Sequence, residues 1–254
     1  MIKRCLWCLK TNSSVSFVKK AHTIPLSLGG NNFNQNVCDS CNEYFGVNKE
    51  NRSYSIEEAL KETFNITRRR FLFGLKPKKK VGRFKSKFFE IKERKGKYRL
   101  IIKPSFKFNP FFQQELCRSF KRGLYKMYFE EFNRQKEEGY DNKFNLIRQF
   151  SRYNEFDLPV FYFKRSVGIF LLTKREAETP FLIFNRMKYL YSNEKFIEIE
   201  FLGHVFGLPI ENFTEHDFNL YIDKSMELKS QFFSEAIILN QLTDIDFTMK
   251  ILDN

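Results

Sequence analysis

The sequence predicts an α+β fold, and three patterns along its 254 residues indicate it. Two cysteine pairs near the start predict a small N-terminal module stabilised by metal. Apolar residues recurring every fourth position predict a long amphipathic helix in the middle of the chain. Short apolar or alternating runs, split by turn-like links, predict a mostly antiparallel sheet from residue 158 onward.

Four of the five cysteines form two C-x-x-C pairs, Cys5 with Cys8 and Cys38 with Cys41. Two intervening residues let the chain turn tightly enough for both sulfurs to reach one ion at about 2.3 Å. Disulfides are the alternative, but this spacing fits zinc better, and no apolar signal-peptide region follows Met1. We therefore expect one structural zinc ion on four thiolates, in a reducing compartment, and a cytoplasmic protein.

The same segment contains A-H-T-I-P-L-S-L-G-G at residues 21–30 and N-V-C-D-S-C-N-E-Y-F-G at residues 36–46. With the cysteine pairs, about the first 50 residues resemble the HNH endonucleases, a His-Me finger or ββα-metal family, in its zinc-stapled four-cysteine branch. The resemblance implies a hairpin strand that carries a general-base histidine and a following helix that carries a metal ligand. It also implies a metal-dependent endonuclease that hydrolyses phosphodiester bonds in nucleic acid, expected to be double-stranded DNA.

Three polar residues are the candidate catalytic residues of this segment. His22 is the one histidine in the zinc-framed loop; a neutral imidazole near pH 7 can accept a proton from water, although a loop histidine bonded to backbone is the alternative. The carbonyl oxygen of Asn42 suits Mg²⁺ or Mn²⁺, or else the residue caps a helix. Asn36, with Asn34 in reserve, is expected to hold the His22 loop through backbone hydrogen bonds, although Asn-rich loops are often only turns.

One position departs from the family pattern. Many HNH enzymes place an acidic residue or a histidine directly before the base as a second metal ligand, and here Ala21 occupies that position. Water, Asp39 or Glu43 is expected to fill the gap, or the ion is held weakly. Ala21 also favours an alternative function, a catalytically inactive zinc-containing protein that binds nucleic acid or docks in a larger machine, as an oligomer or accessory subunit.

A basic stretch follows at residues 68–107, with 17 Lys and Arg against Glu90 and Glu93. Its net charge of +15 exceeds the +14 of the whole chain, so the remainder is close to neutral. Such concentrated charge favours phosphate binding over a solvated surface or a nuclear signal. Interleaved phenylalanines such as Phe84 and Phe88 indicate the buried face of a strand more than base stacking. The predicted nucleic-acid contacts are Arg68, Arg69, Arg70, Lys76, Lys78, Lys79, Lys80, Arg83, Lys85 and Lys87.

The remaining patterns predict a zinc-bound nuclease module at 1–52 and a basic, aromatic-rich α+β domain at 53–254, whose part at 158–254 is mostly β. A capping box at Ser55 predicts a helix through about Thr63. Asn109 predicts the start of the long helix, which is expected to end near Gly139. The other predicted elements are a hairpin at 82–90 and 97–103 and a short helix at 142–152.

Several sequence features predict neither catalysis nor membrane insertion. His204 and His216 have no metal-spaced partner and are expected to be structural, and Cys117 is expected to be an inert core thiol. No window of about 18 uncharged apolar residues occurs, so no membrane span is expected. A role in a defence system or mobile element, with residues 140–254 sensing a ligand or partner, is compatible with nuclease activity by family analogy alone.

Overall fold

The structure is a computed structural model and describes residues 2–48, 54–72, 86–94, 97–165, 182–184, 195–229 and 233–245. The α-helices in these ranges are α1 (Asp39–Gly46), α2 (Ile56–Leu72), α3 (Pro110–Lys136), α4 (Asn145–Ile147) and α5 (Glu215–Lys229). The strands are β1 (Ala21–His22), β2 (Phe33–Asn34), β3 (Phe89–Arg94), β4 (Lys97–Ile102), β5 (Phe161–Arg165), β6 (Leu182–Phe184), β7 (Phe196–Phe201), β8 (His204–Pro209) and β9 (Phe233–Ile238). Short 3-10 turns lie at Leu26–Leu28, Asn142–Phe144 and Leu242–Asp244, and a π-helical turn spans Arg148–Tyr153.

The strands that the structure describes pair antiparallel throughout. β1 pairs with β2 and β3 with β4 as separate hairpins, while the third sheet has the order β6-β7-β8-β5-β9. Leu202 and Gly203 connect β7 to β8 with φ values of 49° and 78°, and two positive φ values match the twist of a tight hairpin. Helices that lie apart from antiparallel sheets confirm the predicted α+β class.

Helix α3 begins as the sequence predicts. The Asn109 side chain accepts a hydrogen bond from the Phe112 N–H at 2.8 Å, and Pro110 occupies the first helical position. The helix ends at Lys136, close to the predicted end, where Glu137 adopts a left-handed conformation with φ of 59°.

The burial of α3 differs from that of a surface amphipathic helix. Its apolar stripe is buried as expected, but charged side chains on its other faces are buried as well. These charged residues are Lys121, Arg122, Lys126, Glu130 and Glu131. A helix that is covered on every side is the central element of the molecule, and neighbours on all sides must satisfy its charges.

Helix α2 and strand β8 pack directly against α3. Gly123 lets α2 approach closely, because a Cβ on this glycine would lie 3.2 Å from the Leu60 side chain. On another side, the Tyr125 hydroxyl donates to the Pro209 carbonyl at the end of β8, at 3.0 Å. The core around α3 includes residues from Cys5 to Ile245, and a second, smaller cluster lies between the five-stranded sheet and α5.

This continuous core does not separate at the predicted boundary after residue 52. The N-terminal module and α3 share buried neighbours, and residues 49–53 lie outside the described ranges. The division into two domains therefore stays a prediction. Among the described helices, none is long and apolar enough to cross a membrane.

Within the described part of the basic stretch, Phe88 packs in the core. Phe88 is fully buried, with ring centroids 6.2 Å from Tyr54, 5.7 Å from Phe106 and 5.7 Å from Phe112. Edge-to-face packing of this kind stabilises a core. For Phe88 the structure therefore supports a core position, while Phe84 lies outside the described residues.

Three elements differ from the sequence-based prediction. Helix α2 continues to Leu72, well beyond Thr63, and the first strand of the β3–β4 hairpin begins at Phe89. The predicted start of that strand, at residues 82–85, lies outside the described residues. Helix α5 was not predicted, because its apolar residues do not form a clear stripe at helical spacing.

Candidate active site

The two cysteine pairs converge into one cluster. The Sγ atoms of Cys5, Cys8, Cys38 and Cys41 all lie within 4.8 Å of one another, and the thiols are free. Four sulfurs bound tetrahedrally to zinc at about 2.3 Å lie about 3.8 Å apart. The Sγ atoms of Cys8 and Cys38 are separated by 3.8 Å. The donor set therefore fits one closed zinc site.

Local backbone structure forms both knuckles. The Cys5 N–H donates to the Lys10 carbonyl at 2.8 Å, and the Leu9 N–H donates to the Cys5 carbonyl at 3.0 Å. Leu9 adopts a left-handed conformation with φ of 60°, which closes this turn. In the second knuckle, Cys38 occupies the N-cap of α1, where the helix dipole favours a thiolate.

Hydrogen-bond donors surround the sulfur atoms. The Cys38 N–H points to Cys5 Sγ at 3.4 Å, and Arg152 Nε donates to Cys41 Sγ at 3.5 Å. The thiols differ widely in acidity: the hydrogen bond with Cys41 lowers the pKa of Cys5 to about 5, whereas burial raises the pKa of Cys8 to about 11. Zinc would resolve this difference, because it binds all four groups as thiolates.

A two-stranded hairpin between the knuckles carries the candidate base. In the β1–β2 pairing, Ala21 lies opposite Asn34 and His22 opposite Phe33. Because side chains alternate along a strand, these two pairs lie on opposite faces. Ala21 is fully buried toward the core, and His22 is half-buried on the other face.

Two glycines set the path of the loop that follows His22. Gly29 ends the turn Leu26–Leu28 with φ of 90°, a left-handed conformation that glycine adopts without steric cost. A Cβ on Gly30 would lie 1.9 Å from the Ile24 carbonyl oxygen, so no other residue fits there without a backbone shift. The Gly-Gly pair is thus required by the hairpin geometry.

The accessible face of the hairpin brings three side chains together. Lys20 precedes His22 by two residues and Phe33 lies across from it, so all three share a face. The Lys20 ammonium lies 5.1 Å from the centre of the Phe33 ring. Within the described part of the chain, the His22 imidazole forms no hydrogen bond, which leaves a ring nitrogen accessible for proton transfer.

The asparagine whose amide ties the hairpin to the rest of the molecule is Asn34. Its Nδ2 donates to the Glu130 carbonyl on α3 at 2.7 Å, and its Oδ1 accepts the Asn36 N–H at 2.8 Å. Asn36 itself contacts the first knuckle, where its carbonyl accepts the Leu6 N–H at 2.6 Å. The anchoring hydrogen bond that the sequence analysis expected of Asn36 is thus made by the reserve residue.

Helix α1 brings Asn42 beside the strand of His22. Its Nδ2 donates to the Lys20 carbonyl at 3.4 Å, a long hydrogen bond two residues before His22. With the amide nitrogen toward the strand, Oδ1 accepts no hydrogen bond from the residues that the structure describes. One hard oxygen ligand fits Mg²⁺, which keeps several waters and takes few ligands from protein.

The two carboxylates proposed to compensate for Ala21 have different surroundings. The Asp39 carboxylate accepts hydrogen bonds from the Lys19 N–H at 2.7 Å and the Val18 N–H at 3.2 Å. Glu43, which follows Asn42 on α1, has a 42% exposed side chain that pairs with the Lys19 ammonium at 3.5 Å. Both residues are half-buried, so their exposure does not rank them as metal ligands.

A family comparison agrees with this geometry. Residues 5–54 match a family model described as HNH endonuclease. This segment is an HNH endonuclease module. No curated protein and no solved structure matches the chain significantly. The matched residues include both knuckles, the hairpin and α1, and they imply nuclease chemistry on a nucleic acid; α2 and everything after it lie outside the match.

The basic stretch beyond the HNH module is partly described. The backbone of 68–70 belongs to the end of α2, and Lys87 is half-buried, with its N–H donating to Glu62 Oε1 at 2.9 Å. Six predicted contacts lie outside the described residues: Lys76, Lys78, Lys79, Lys80, Arg83 and Lys85. Nucleic-acid binding by this stretch stays a prediction.

The other histidines lie outside the HNH module. His204 is buried, with its two ring nitrogens 3.1 Å from the Thr67 hydroxyl and 3.2 Å from the Tyr162 hydroxyl, and burial lowers its pKa to about 3. His216 is exposed in the first turn of α5. Cys117 is buried in α3, and burial raises its pKa to about 12. The surroundings of His204 and Cys117 are those of structural residues.

Two residues that the sequence analysis missed lie next to His22. Lys20 shares its face, and the spacing of two residues along a strand could have revealed it. Lys126 on α3 donates its Nζ proton to the His22 carbonyl at 2.6 Å. Because these two residues are 104 positions apart, no local pattern indicates the contact.

Proposed function

We propose that the protein is a metal-dependent endonuclease that hydrolyses phosphodiester bonds in DNA. One observation carries the proposal: within the HNH module, Asn42 hydrogen-bonds the chain two residues before His22. A candidate metal ligand and a candidate base therefore lie at one edge of the hairpin. Phosphodiester hydrolysis needs both an activated water and positive charge at the phosphate.

In this proposal, His22 is the general base. Its neutral imidazole takes a proton from the water that attacks phosphorus. Asn42 would hold Mg²⁺ or Mn²⁺, and the ion would supply positive charge at the phosphate and the leaving 3′ oxygen. Asn34 and Asn36 hold the hairpin and the first knuckle in place. Zinc on the four cysteines is structural, because four thiolates leave no open position for water.

Substrate binding uses the accessible face of the hairpin and the basic stretch. Lys20 offers an ammonium beside His22, and Phe33 offers an aromatic surface. The stretch at 68–107 adds a net charge of +15, which suits a polyanion. Phosphate contacts of this kind give affinity without sequence specificity.

The alternative is a zinc-containing protein that binds nucleic acid without cutting it. The fully buried Ala21 favours this function, because the position that carries a carboxylate in many HNH enzymes has neither a ligand nor access to solvent. An Ala21→Asp variant would bury a carboxylate and destabilise the hairpin. It is therefore not a suitable test of whether activity can be restored.

A comparison of two histidine variants tests the proposal. We expect His22→Ala to abolish cleavage of plasmid DNA with Mg²⁺ or Mn²⁺, while zinc content and DNA affinity stay near wild type, because a general base acts mainly in the transition state. The matched control is His216→Ala, which removes an exposed histidine far along the chain and should cut like wild type.

The cleavage assay also distinguishes a nuclease from a protein that only binds nucleic acid. A wild-type protein that binds DNA but cuts no duplex, single strand or RNA with any divalent ion would support the binding function. If His22→Ala cuts at the wild-type rate, the assigned base is wrong. Asn42→Ala should lose activity that raised Mn²⁺ partly restores, because the ligand is lost but the base is retained.

A further inference from the structure

Lys126 is a buried ammonium directly behind the strand of the candidate base. Its side chain is fully buried, and its Nζ lies 2.6 Å from the His22 carbonyl oxygen, 2.9 Å from Glu57 Oε1 and 3.1 Å from Glu130 Oε2. It donates a hydrogen bond to the His22 carbonyl and forms ion pairs with both carboxylates, although Glu130 Oε2 makes no hydrogen bond with the residues that the structure describes. One of these three partners is the backbone of the residue that carries the imidazole.

The charges around Lys126 keep it protonated. Burial opposes its charge, but the Glu130 and Glu57 carboxylates outweigh burial and raise the pKa of Lys126 above its ordinary value. Burial also raises the pKa of Glu130 to about 7, and Trp7 donates its indole N–H to Glu130 Oε1 at 2.9 Å. The donor to the His22 carbonyl is therefore charged at neutral pH.

Stability alone does not account for this cluster. Buried ion pairs often stabilise a protein no more than apolar side chains of similar volume, because desolvation offsets their attraction. A charged donor does supply a directed hydrogen bond that an apolar side chain cannot make. A role in orienting the His22 strand fits the observed contact better than a role in packing.

The same turn of α3 also holds the second strand of the hairpin. The Glu130 carbonyl, one helical turn after Lys126, accepts the Asn34 amide N–H at 2.7 Å. Next to Glu130, the pKa of Glu131 is lowered by Arg134 and, to a smaller extent, by Thr23, the residue after His22. Both strands are thus attached to a rigid helix outside the matched segment 5–54.

We propose that Lys126 is a positioning residue for His22, which orients the imidazole by binding the His22 carbonyl. This inference rests on the proposed function, since it assumes that the imidazole must be held for proton transfer. A base that is displaced by about 1 Å can lose about 100-fold in rate. Lys126 therefore acts on kcat, without touching substrate.

The test compares two double variants of α3. Lys126→Met/Glu130→Gln removes the donor and also neutralises a carboxylate that would otherwise be left buried without its partner. The matched control is Lys121→Met/Asp157→Asn, which removes another buried lysine of α3 and neutralises its partner, 2.6 Å away. Lys126→Gln/Glu130→Gln keeps a neutral N–H donor for the His22 carbonyl. This variant replaces the methionine variant in the test if the latter does not fold.

We expect kcat for plasmid cleavage to fall about 10- to 100-fold in the Lys126→Met/Glu130→Gln protein, with KM and zinc content close to wild type. The glutamine variant should recover part of kcat, and the Lys121→Met/Asp157→Asn control should keep all of it. Equal losses in both methionine variants, or a wild-type kcat in the Lys126→Met/Glu130→Gln protein, would overturn the proposal.

A second readout does not depend on activity. The chain has three histidines, so the ring Cε1–H signals of His22, His204 and His216 can be separated by NMR and assigned with His22→Ala. We expect the chemical shift of the His22 signal to change in the Lys126→Met/Glu130→Gln protein and to stay in place in the control. An unmoved His22 signal would contradict the positioning role, whether or not the wild type cuts DNA.

Discussion

At the scale of single residues, the HNH motif can be recognised from the sequence because many of its residues have local structural roles. The cysteine spacing fixes two tight turns, and the Gly29-Gly30 pair satisfies one positive φ and one close backbone approach. These requirements depend on neighbours within a few positions, so the sequence alone reveals them. The HNH resemblance was confirmed by the family model over residues 5–54 and by the cluster of four cysteines.

Gly30→Ala should destabilise the hairpin. The added Cβ would lie 1.9 Å from the Ile24 carbonyl oxygen, so the backbone must shift, at a cost of about 2 kcal/mol or more in the free energy of unfolding. Gly46→Ala is the matched control, because its Cβ would meet only Glu57 Oε2 at an ordinary 3.6 Å. Chemical denaturation monitored by circular dichroism measures both, and equal stability of the two variants would contradict the steric argument.

Two contacts of the hairpin with α3 could not be predicted from the sequence. Asn34 and Asn36 lie two positions apart in an asparagine-rich loop, and local patterns cannot rank them. They differ in structure because the Asn34 amide meets the Glu130 carbonyl, 96 positions away. Lys126 was not predicted either, because its contact with the His22 carbonyl forms only when α3 packs against the hairpin.

At the scale of elements, the cysteine cluster and helix α1 form one unit. Cys38 occupies the N-cap position and Cys41 lies in the first turn, so the cysteine cluster includes the start of α1. Long elements with strong patterns, such as α3, were predicted nearly to the residue. The end of α2 and the whole of α5 were not predicted. In α5 the apolar residues form no clear stripe at helical spacing, although Tyr221 is fully buried.

Zinc removal should unfold this unit selectively. The purified protein should contain about one zinc ion per chain, and Cys38→Ser should lose it together with the structure of the HNH module, because metal binding and folding are coupled there. Cys117→Ser is the control, since this buried thiol of α3 lies outside the cluster. Metal analysis measures the zinc content, and amide NMR shows whether the HNH module is folded. A folded, zinc-free wild type would contradict the prediction.

At the scale of the whole molecule, α3 makes the HNH module part of a larger core. The module contributes Trp7, Asn34 and the His22 carbonyl to contacts with α3, and no pattern in residues 5–54 indicates this dependence. The sequence did predict an α+β chain with a long amphipathic helix in its middle, but not the burial of that helix on every side. It could not predict which side of that helix receives the module, because the choice depends on buried charges paired across long separations.

A fragment of residues 1–54 should therefore bind zinc without forming an ordered hairpin. It lacks Lys126 and the Glu130 carbonyl, and it exposes apolar surface that α3 covers in the full chain. We expect its amide NMR signals to be dispersed near the cysteines and poorly dispersed around His22. The spectrum of the full-length protein is the reference. A fragment with a fully dispersed spectrum would show that α3 is dispensable for the fold of the hairpin.

Trp7 has a practical consequence because it is the single tryptophan of the sequence. Its indole is almost fully buried, with ring centroids 4.8 Å from Phe45 and 5.2 Å from Phe129, so it lies where the module meets α3. Fluorescence excited selectively at tryptophan will therefore report this junction and no other part of the chain. A shift of its emission to longer wavelength during chelation or heating would show when the module separates from α3, without an added label.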